Sequence, residues 1–227
     1  MFSSESFVAE CRAALDDEDP VHTVQQAVLA ALSEGPDSID AALGSVYKPG
    51  PQTLFASPEL TVQRLLWPPG YTGLAHEHRM WAVVGVYRGV EKNHFFGRSQ
   101  DRLEAVGDRS IAEGEVLALD DAAIHSVENT RRGWTAGLHV YGGDIVGAKR
   151  SAWGPAGREA PFAEVSAANM AMYQGLYDLV AELGIELDDE IRYVATTALR
   201  AACEREQRYL TAGEARQVIA DAWGTSP

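Results

Sequence analysis

Between residues 60 and 142 the chain falls into short β-rich runs, and this constrains its fold more than any other feature. The runs are Leu60 to Trp67, Met80 to Tyr87, Glu115 to Leu119, His125 to Thr130 and Trp134 to Tyr141. Pro68-Pro69-Gly70, Arg88-Gly89, Glu113-Gly114, Arg132-Gly133 and Gly142-Gly143 punctuate them. Many short strands separated by Gly/Pro turns predict a sandwich or small barrel.

The flanks have a different texture. Residues 1 to about 44 read as helical. Asp19-Pro20 is an N-cap followed by proline at the first helical position, and Val21, Val24, Ala27, Val28, Ala31 and Leu32 then repeat at helical spacing. Gly35-Pro36 stops that helix, and a short one over about Ser38 to Leu43 follows. Beyond about 163, Ile191, Val194, Ala195, Ala198, Leu199 and Ala202 form one apolar stripe, and Thr211 with Glu214 makes a capping-box pattern. The expected organisation is an N-terminal helical segment (1–44) packed on a barrel (45–153) that holds a metal site. A C-terminal helical extension (154–227) follows, with Gly154-Pro155-Ala156-Gly157 as the linker and with oligomerisation or a lid as its role.

A length of 227 residues with 46% hydrophobic content suits this plan. The net charge of −14 argues against nucleic acid, against anionic membrane surfaces, and against anionic substrates unless the site has its own cations. No stretch approaches the ~18 to 20 apolar residues of a membrane span. Met1-Phe2-Ser3-Ser4-Glu5 lacks signal-peptide character, and Cys11 and Cys203 suggest no disulfide framework, so a cytoplasmic location is expected.

His76-Glu77-His78 carries the chemistry, with His125 about fifty residues later. Histidines at i and i+2 point to the same face of a strand. Neutral imidazole is a common ligand for divalent transition metals, and a third histidine from a later strand closes a three-nitrogen site with one face open. Three neutral ligands leave the full +2 charge on the ion, which favours anionic substrate ligands such as a thiolate. Glu77 lies on the opposite strand face and reads as structural, His22 as a surface residue and His94 as a non-ligand. An HxH pair alone is a weak signal, but its surroundings strengthen it. Gly70 precedes it, Arg88-Gly89 closes the next strand, and Asn129 stands four residues after His125. This resembles the cupin pattern. Ala82 lies near the place of the usual glutamate, and Asp120-Asp121-Ala122 replaces the usual Pro-x-Gly.

A narrower resemblance covers roughly residues 45 to 150. The stretch from His76 to Glu91 (HEHRMWAVVGVYRGVE), His125-Ser-Val-Glu-Asn129 and Leu138-His-Val-Tyr-Gly-Gly-Asp144 resemble the cysteine dioxygenase family of thiol dioxygenases, nearest its bacterial 3-mercaptopropionate branch. The resemblance implies a mainly β fold, the cupin double-stranded β-helix (a jelly-roll-like barrel) with helical N- and C-terminal segments. It implies Fe(II) held by His76, His78 and His125, with His139 and Tyr141 as a hydrogen-bonded pair beside the substrate and oxygen site. Arg150 takes the substrate carboxylate, a role that suits its two parallel donors. Gln52 matches that branch's active-site glutamine. Trp81 and Tyr87 are core packing.

Two departures stand out. Gly137 occupies the position of the branch's serine, which shortens a serine–histidine–tyrosine relay. No cysteine lies in the barrel, so the tyrosine crosslink of the animal enzymes cannot form. The implied reaction converts a small carboxylated thiol and O2 to the sulfinate. The alternatives are a metal-dependent cupin oxygenase or isomerase acting on a non-thiol, and a non-catalytic cupin. Mn(II), Ni(II) and Zn(II) also suit nitrogen ligands.

Overall fold

The computed structural model describes residues 1–45, 49–99 and 102–224. Three helices come first: α1 (Ser4–Ala13), α2 (Pro20–Ser33) and α3 (Pro36–Leu43). Eleven strands follow: β1 (Gly50–Ala56), β2 (Thr61–Trp67), β3 (Ala75–Glu77), β4 (Ala82–Arg88), β5 (Val90–Ser99), β6 (Arg102–Ala112), β7 (Val116–Leu119), β8 (Ile124–Glu128), β9 (Thr135–Tyr141), β10 (Ser151–Trp153) and β11 (Glu159–Pro161). The chain ends in α4 (Phe162–Leu183), α5 (Asp189–Glu206) and α6 (Ala212–Trp223).

The strands form two antiparallel sheets, ordered β1-β2-β9-β4-β7 and β11-β10-β3-β8-β5-β6. From β2 to β10 the chain crosses repeatedly from one sheet to the other, and the β5–β6 hairpin is the one pair that stays in a single sheet. That winding is a double-stranded β-helix. β10 and β11 pair with each other, so sheet pairing continues past residue 153 and reaches Pro161, where α4 begins.

Strand alternation divides each sheet into an inner and an outer face. On the first sheet, Val62, Leu66, Val83, Tyr87, Ala136, Leu138 and Val140 face outward into a core shared with the N-terminal helices. Gly85 permits this contact, because a Cβ there would sit 2.3 Å from Val28 of α2. The same face buries Arg64, whose guanidinium pairs with Asp40 of α3 at 2.6 Å and donates to the Tyr87 hydroxyl at 2.7 Å. The inner faces carry Ala82, Val84, Leu117 and Tyr141, and opposite them His76, His125 and Phe95.

The C-terminal helices have a core of their own, built on Met172, Leu176, Leu199, Leu210 and Ile219. They are also fastened to the barrel. Thr196 donates to the Pro69 carbonyl at 2.7 Å, Arg200 pairs with Glu128, and Leu74, Ala152 and Val165 form a small shared core. Gly70 makes the close approach possible: its φ is +71°, and a Cβ there would meet the Thr196 hydroxyl at 2.6 Å.

Candidate metal centre

His76 sits on β3 directly opposite His125 on β8, and His78 follows one residue after β3 ends. Arg79 then turns the chain with a φ of +60°, an uncommon backbone for a residue with a side chain. Its guanidinium is held by Glu77 and by the Lys149 carbonyl. This turn keeps His78 aimed inward beside its neighbours.

The three imidazoles converge through Nε2. The His76–His78 and His78–His125 Nε2 separations are 3.0 and 3.2 Å, and all three ligand atoms lie within 4.8 Å of one another. Two nitrogens bound at about 2.1 Å and at right angles would be about 3.0 Å apart, so the spacing fits adjacent positions around one ion. The other ring nitrogens of His76 and His125 fit this use, whereas His78 Nδ1 is buried without a hydrogen-bond partner. His76 Nδ1 lies 3.1 Å from the Leu74 carbonyl and His125 Nδ1 2.7 Å from Asn93 Oδ1, so each donates there and leaves Nε2 with its lone pair. Burial, then the positive charge of Arg150, lowers His76 to about 4. Burial and the neighbouring imidazoles hold His78 and His125 well below the usual range. All three are therefore neutral ligands near pH 7. Among the described residues this is the one cluster of three or more histidine, cysteine or acidic side chains with metal-ligating spacing.

Tyr141 and His139 lie beside the triad on β9. The Tyr141 hydroxyl is 3.4 Å from His139 Nδ1, and the Tyr141 and His78 rings meet edge to face at 5.2 Å. Burial raises the Tyr141 phenol well above its ordinary range, so it remains a protonated donor.

Arg150 enters from the loop before β10. Its guanidinium lies over the Phe162 ring at 3.3 Å from the centroid, and its buried Nη1 has no hydrogen-bond partner. Burial lowers it to about 10, which still leaves it charged. Phe162, the first residue of α4, also meets His76 edge to face at 5.8 Å, so one ring braces both the cation and a triad histidine. The triad, His139, Tyr141 and Arg150 line a single cavity of about 1410 Å³.

Gln52 is not among its lining residues. It pairs with Arg64 across β1 and β2 and shares that residue's outward face. Its amide donates to the Leu43 carbonyl at 3.3 Å and accepts from Arg64 at 3.4 Å. Gln63, one register position away, faces the cavity instead. His94 is on the outer face of its sheet between Asp108 and Glu128, and His22 is exposed.

Glu91 closes the His76–Glu91 motif, but no role for it follows from the sequence alone. It is fully buried. One oxygen accepts from Trp67 Nε1 at 2.8 Å and lies 3.5 Å from His139 Nε2, at ion-pair distance. The other accepts from Asn93 at 3.1 Å, and Asn93 in turn accepts from His125. Burial pushes the carboxyl up, but His139 and the Trp67 hydrogen bond outweigh it and hold Glu91 below its usual value. Gly137 makes room for this arrangement, since a Cβ there would press on His139 Nε2 at 3.0 Å. The glutamate thus faces the imidazole nitrogen near which a serine at 137 would lie.

No protein-family model matches the chain. Solved structures with a similar fold include a double-stranded β-helix protein from Klebsiella pneumoniae subsp. pneumoniae, 13% identical, covering 47% of this chain and 87% of that one with a TM-score of 0.38. An RmlC-like cupin from Methanocaldococcus jannaschii is 9% identical over 45% of this chain and 86% of that one, with a TM-score of 0.38. A cupin superfamily protein from Desulfitobacterium hafniense is 13% identical over 44% and 84%, with a TM-score of 0.36. The strand order and the converging imidazoles of this chain themselves define its class: a cupin-type double-stranded β-helix with a three-histidine metal-ligand set.

Proposed function

We propose that this protein is an Fe(II)-dependent thiol dioxygenase that converts a carboxylated thiol and O2 to the corresponding sulfinate. The observation that carries this reading is an unpartnered, buried guanidinium nitrogen of Arg150 sharing one cavity with three neutral imidazoles. With a divalent ion held by the three imidazoles, the site would offer two cationic positions, one at the ion and one at Arg150. A thiolate with a carboxylate a few bonds away fills both.

The chain is acidic overall, but its distant surface charges are screened over about 8–10 Å in physiological salt, so the local cations decide what binds. When bound, Fe(II) supplies a Lewis-acidic meeting place for thiolate and dioxygen and the electron transfer between them. Arg150 orients the carboxylate through charge-assisted hydrogen bonds, and Phe162 fixes the guanidinium plane. Tyr141 stays protonated and donates a hydrogen bond toward the reacting oxygen atoms. His139, flanked by Tyr141 and Glu91, holds the phenol in position. The reaction balances without a reductant, because sulfur loses four electrons and the two oxygen atoms gain them.

The test is oxygen uptake by Fe(II)-loaded protein across carboxylated, neutral and amine-bearing thiols. Uptake with carboxylated thiols is expected. In Arg150→Ala, the Michaelis constant for a carboxylated thiol should rise far more than that for a neutral one. A charge-assisted hydrogen bond is worth about 1.5–3 kcal/mol, or roughly 10- to 150-fold. Equal effects on both thiols would remove Arg150 from the carboxylate role. Absence of uptake with iron bound would favour metal-dependent chemistry on a non-thiol.

A further inference from the structure

We infer that the substrate carries an apolar tail of at least aromatic size, and that α4 selects it. The inference rests on the reading above for the identity of the head group. A three-carbon thiol acid has only six non-hydrogen atoms, whereas the cavity of about 1410 Å³ exceeds the ~300–1,000 Å³ of pockets for drug-sized ligands.

The cavity is also polarised. Its cationic and imidazole groups are gathered where β3, β8, β9 and the β10 loop meet. Away from them the wall is mainly aromatic and apolar, with Gln63, Ser166, Asn169 and Gln174 as its polar members. Trp67 and Tyr71 stack at 5.2 Å with planes 9° apart, and Tyr71 meets Tyr173 of α4 at 5.7 Å. Asn169 of α4 lies near the Tyr71 hydroxyl.

Two large apolar side chains complete the lining, Met170 on α4 and Val146 on the loop after β9. They are 70% and 69% exposed, in a chain that otherwise buries most such groups. Leaving them open to water has a cost that a ligand's apolar surface would offset. A wall of aromatic rings and flexible methionine suits a flat or branched hydrocarbon tail. The C-terminal segment thereby supplies a tail-binding surface that the strands alone lack.

Binding of non-thiol carboxylates separates this inference from the chemistry. Isothermal titration of the Fe(II)-loaded protein under anaerobic conditions would compare butanoate with 4-phenylbutanoate. The phenyl compound should bind at least tenfold more tightly. Met170→Glu and Val146→Glu, both at exposed positions, should each cut that ratio at least fivefold, and Arg150→Met should weaken both ligands. A ratio within twofold of unity in the unaltered protein, or a ratio untouched by both glutamate substitutions, would overturn the inference. A clear tail preference without oxygen uptake by any thiol would uphold the pocket and reject the dioxygenase reading. Uptake with no tail preference would do the reverse.

Discussion

Glu91 places a charge where burial is expensive, and its position explains why. An unpaired buried carboxylate would cost several kcal/mol, but this one faces His139, Trp67 and Asn93 at once. It joins the tyrosine–histidine pair to the ligand His125. Glu91→Gln should keep iron content within about twofold and lower turnover at least about tenfold, and combining it with Tyr141→Phe should add little, because groups acting as a unit are not additive. Tyr141→Phe alone should lower turnover with normal iron, and loss of iron in that variant would refute its assigned role. The imidazoles predict a pH dependence. Unfolded, each titrates near ~6.5, whereas His76 in the folded chain is lowered to about 4. Between those values the unfolded chain binds more protons, so the metal-free protein should lose stability as pH falls through this window. A melting temperature flat across it would contradict the neutral triad. The His76–His78 pair was legible from its i, i+2 spacing, and His125 from the cupin-like pattern of Gly70, Arg88-Gly89 and Asn129 around it. Period two also places Gln52 with Arg64 on the outward face, where its amide bonds to Leu43 and Arg64. Glu91 stood in the His76–Glu91 motif without a role, because nothing in the string Arg-Gly-Val-Glu distinguishes a buried carboxylate from a solvated one.

Elements differ in how clearly they announce themselves. Strands β2, β7 and β9 fall within the β-rich runs, and β4 and β8 overlap theirs but overrun them by one residue, at Arg88 and Ile124. Strands β5 and β6 are rich in charged and polar residues and form a hairpin with one largely exposed strand, so their apolar signal is diluted. Strands β3, β10 and β11 are three residues each, too short for any period to register, yet β3 carries a triad histidine. Helix α3 appears in the sequence as a short helix, but its tie to the barrel does not. Asp40 meets Arg64, Tyr87 and Arg88, residues far along the chain. Removing one partner of a buried ion pair costs about 3–5 kcal/mol, so Asp40→Ala should lower unfolding free energy by about that amount in urea titrations. Iron content should not change, because the network lies on the outer face of the other sheet. A loss below about 1 kcal/mol would show the pair to be dispensable.

At the scale of the whole molecule, α4 of the C-terminal helices reaches the cavity, while α5 and α6 stand behind it. Phe162 braces Arg150, and α4 forms one wall of the cavity. In the sequence that segment read as an oligomerisation or lid element, since amphipathic periodicity shows that a helix buries one face but not against what. Helices α5 and α6 bury the remaining face of α4, and Thr196 and Arg200 fasten α5 to the loop and strand ends of the barrel. Backbone amides of α4 should therefore exchange hydrogen more slowly when 4-phenylbutanoate is bound, while those of the exposed β6 edge should not respond. Equal protection of both would point to a general tightening rather than to contact with α4.

The most direct measurement is the fate of labelled dioxygen. Fe(II)-loaded protein would be given a carboxylated thiol under isotopically labelled O2, and the product weighed by mass spectrometry. A sulfinate carrying two labelled oxygen atoms, formed by the unaltered protein and lost in His125→Ala, is the result this account predicts. A product with one labelled atom or none, or a disulfide alone, would contradict it.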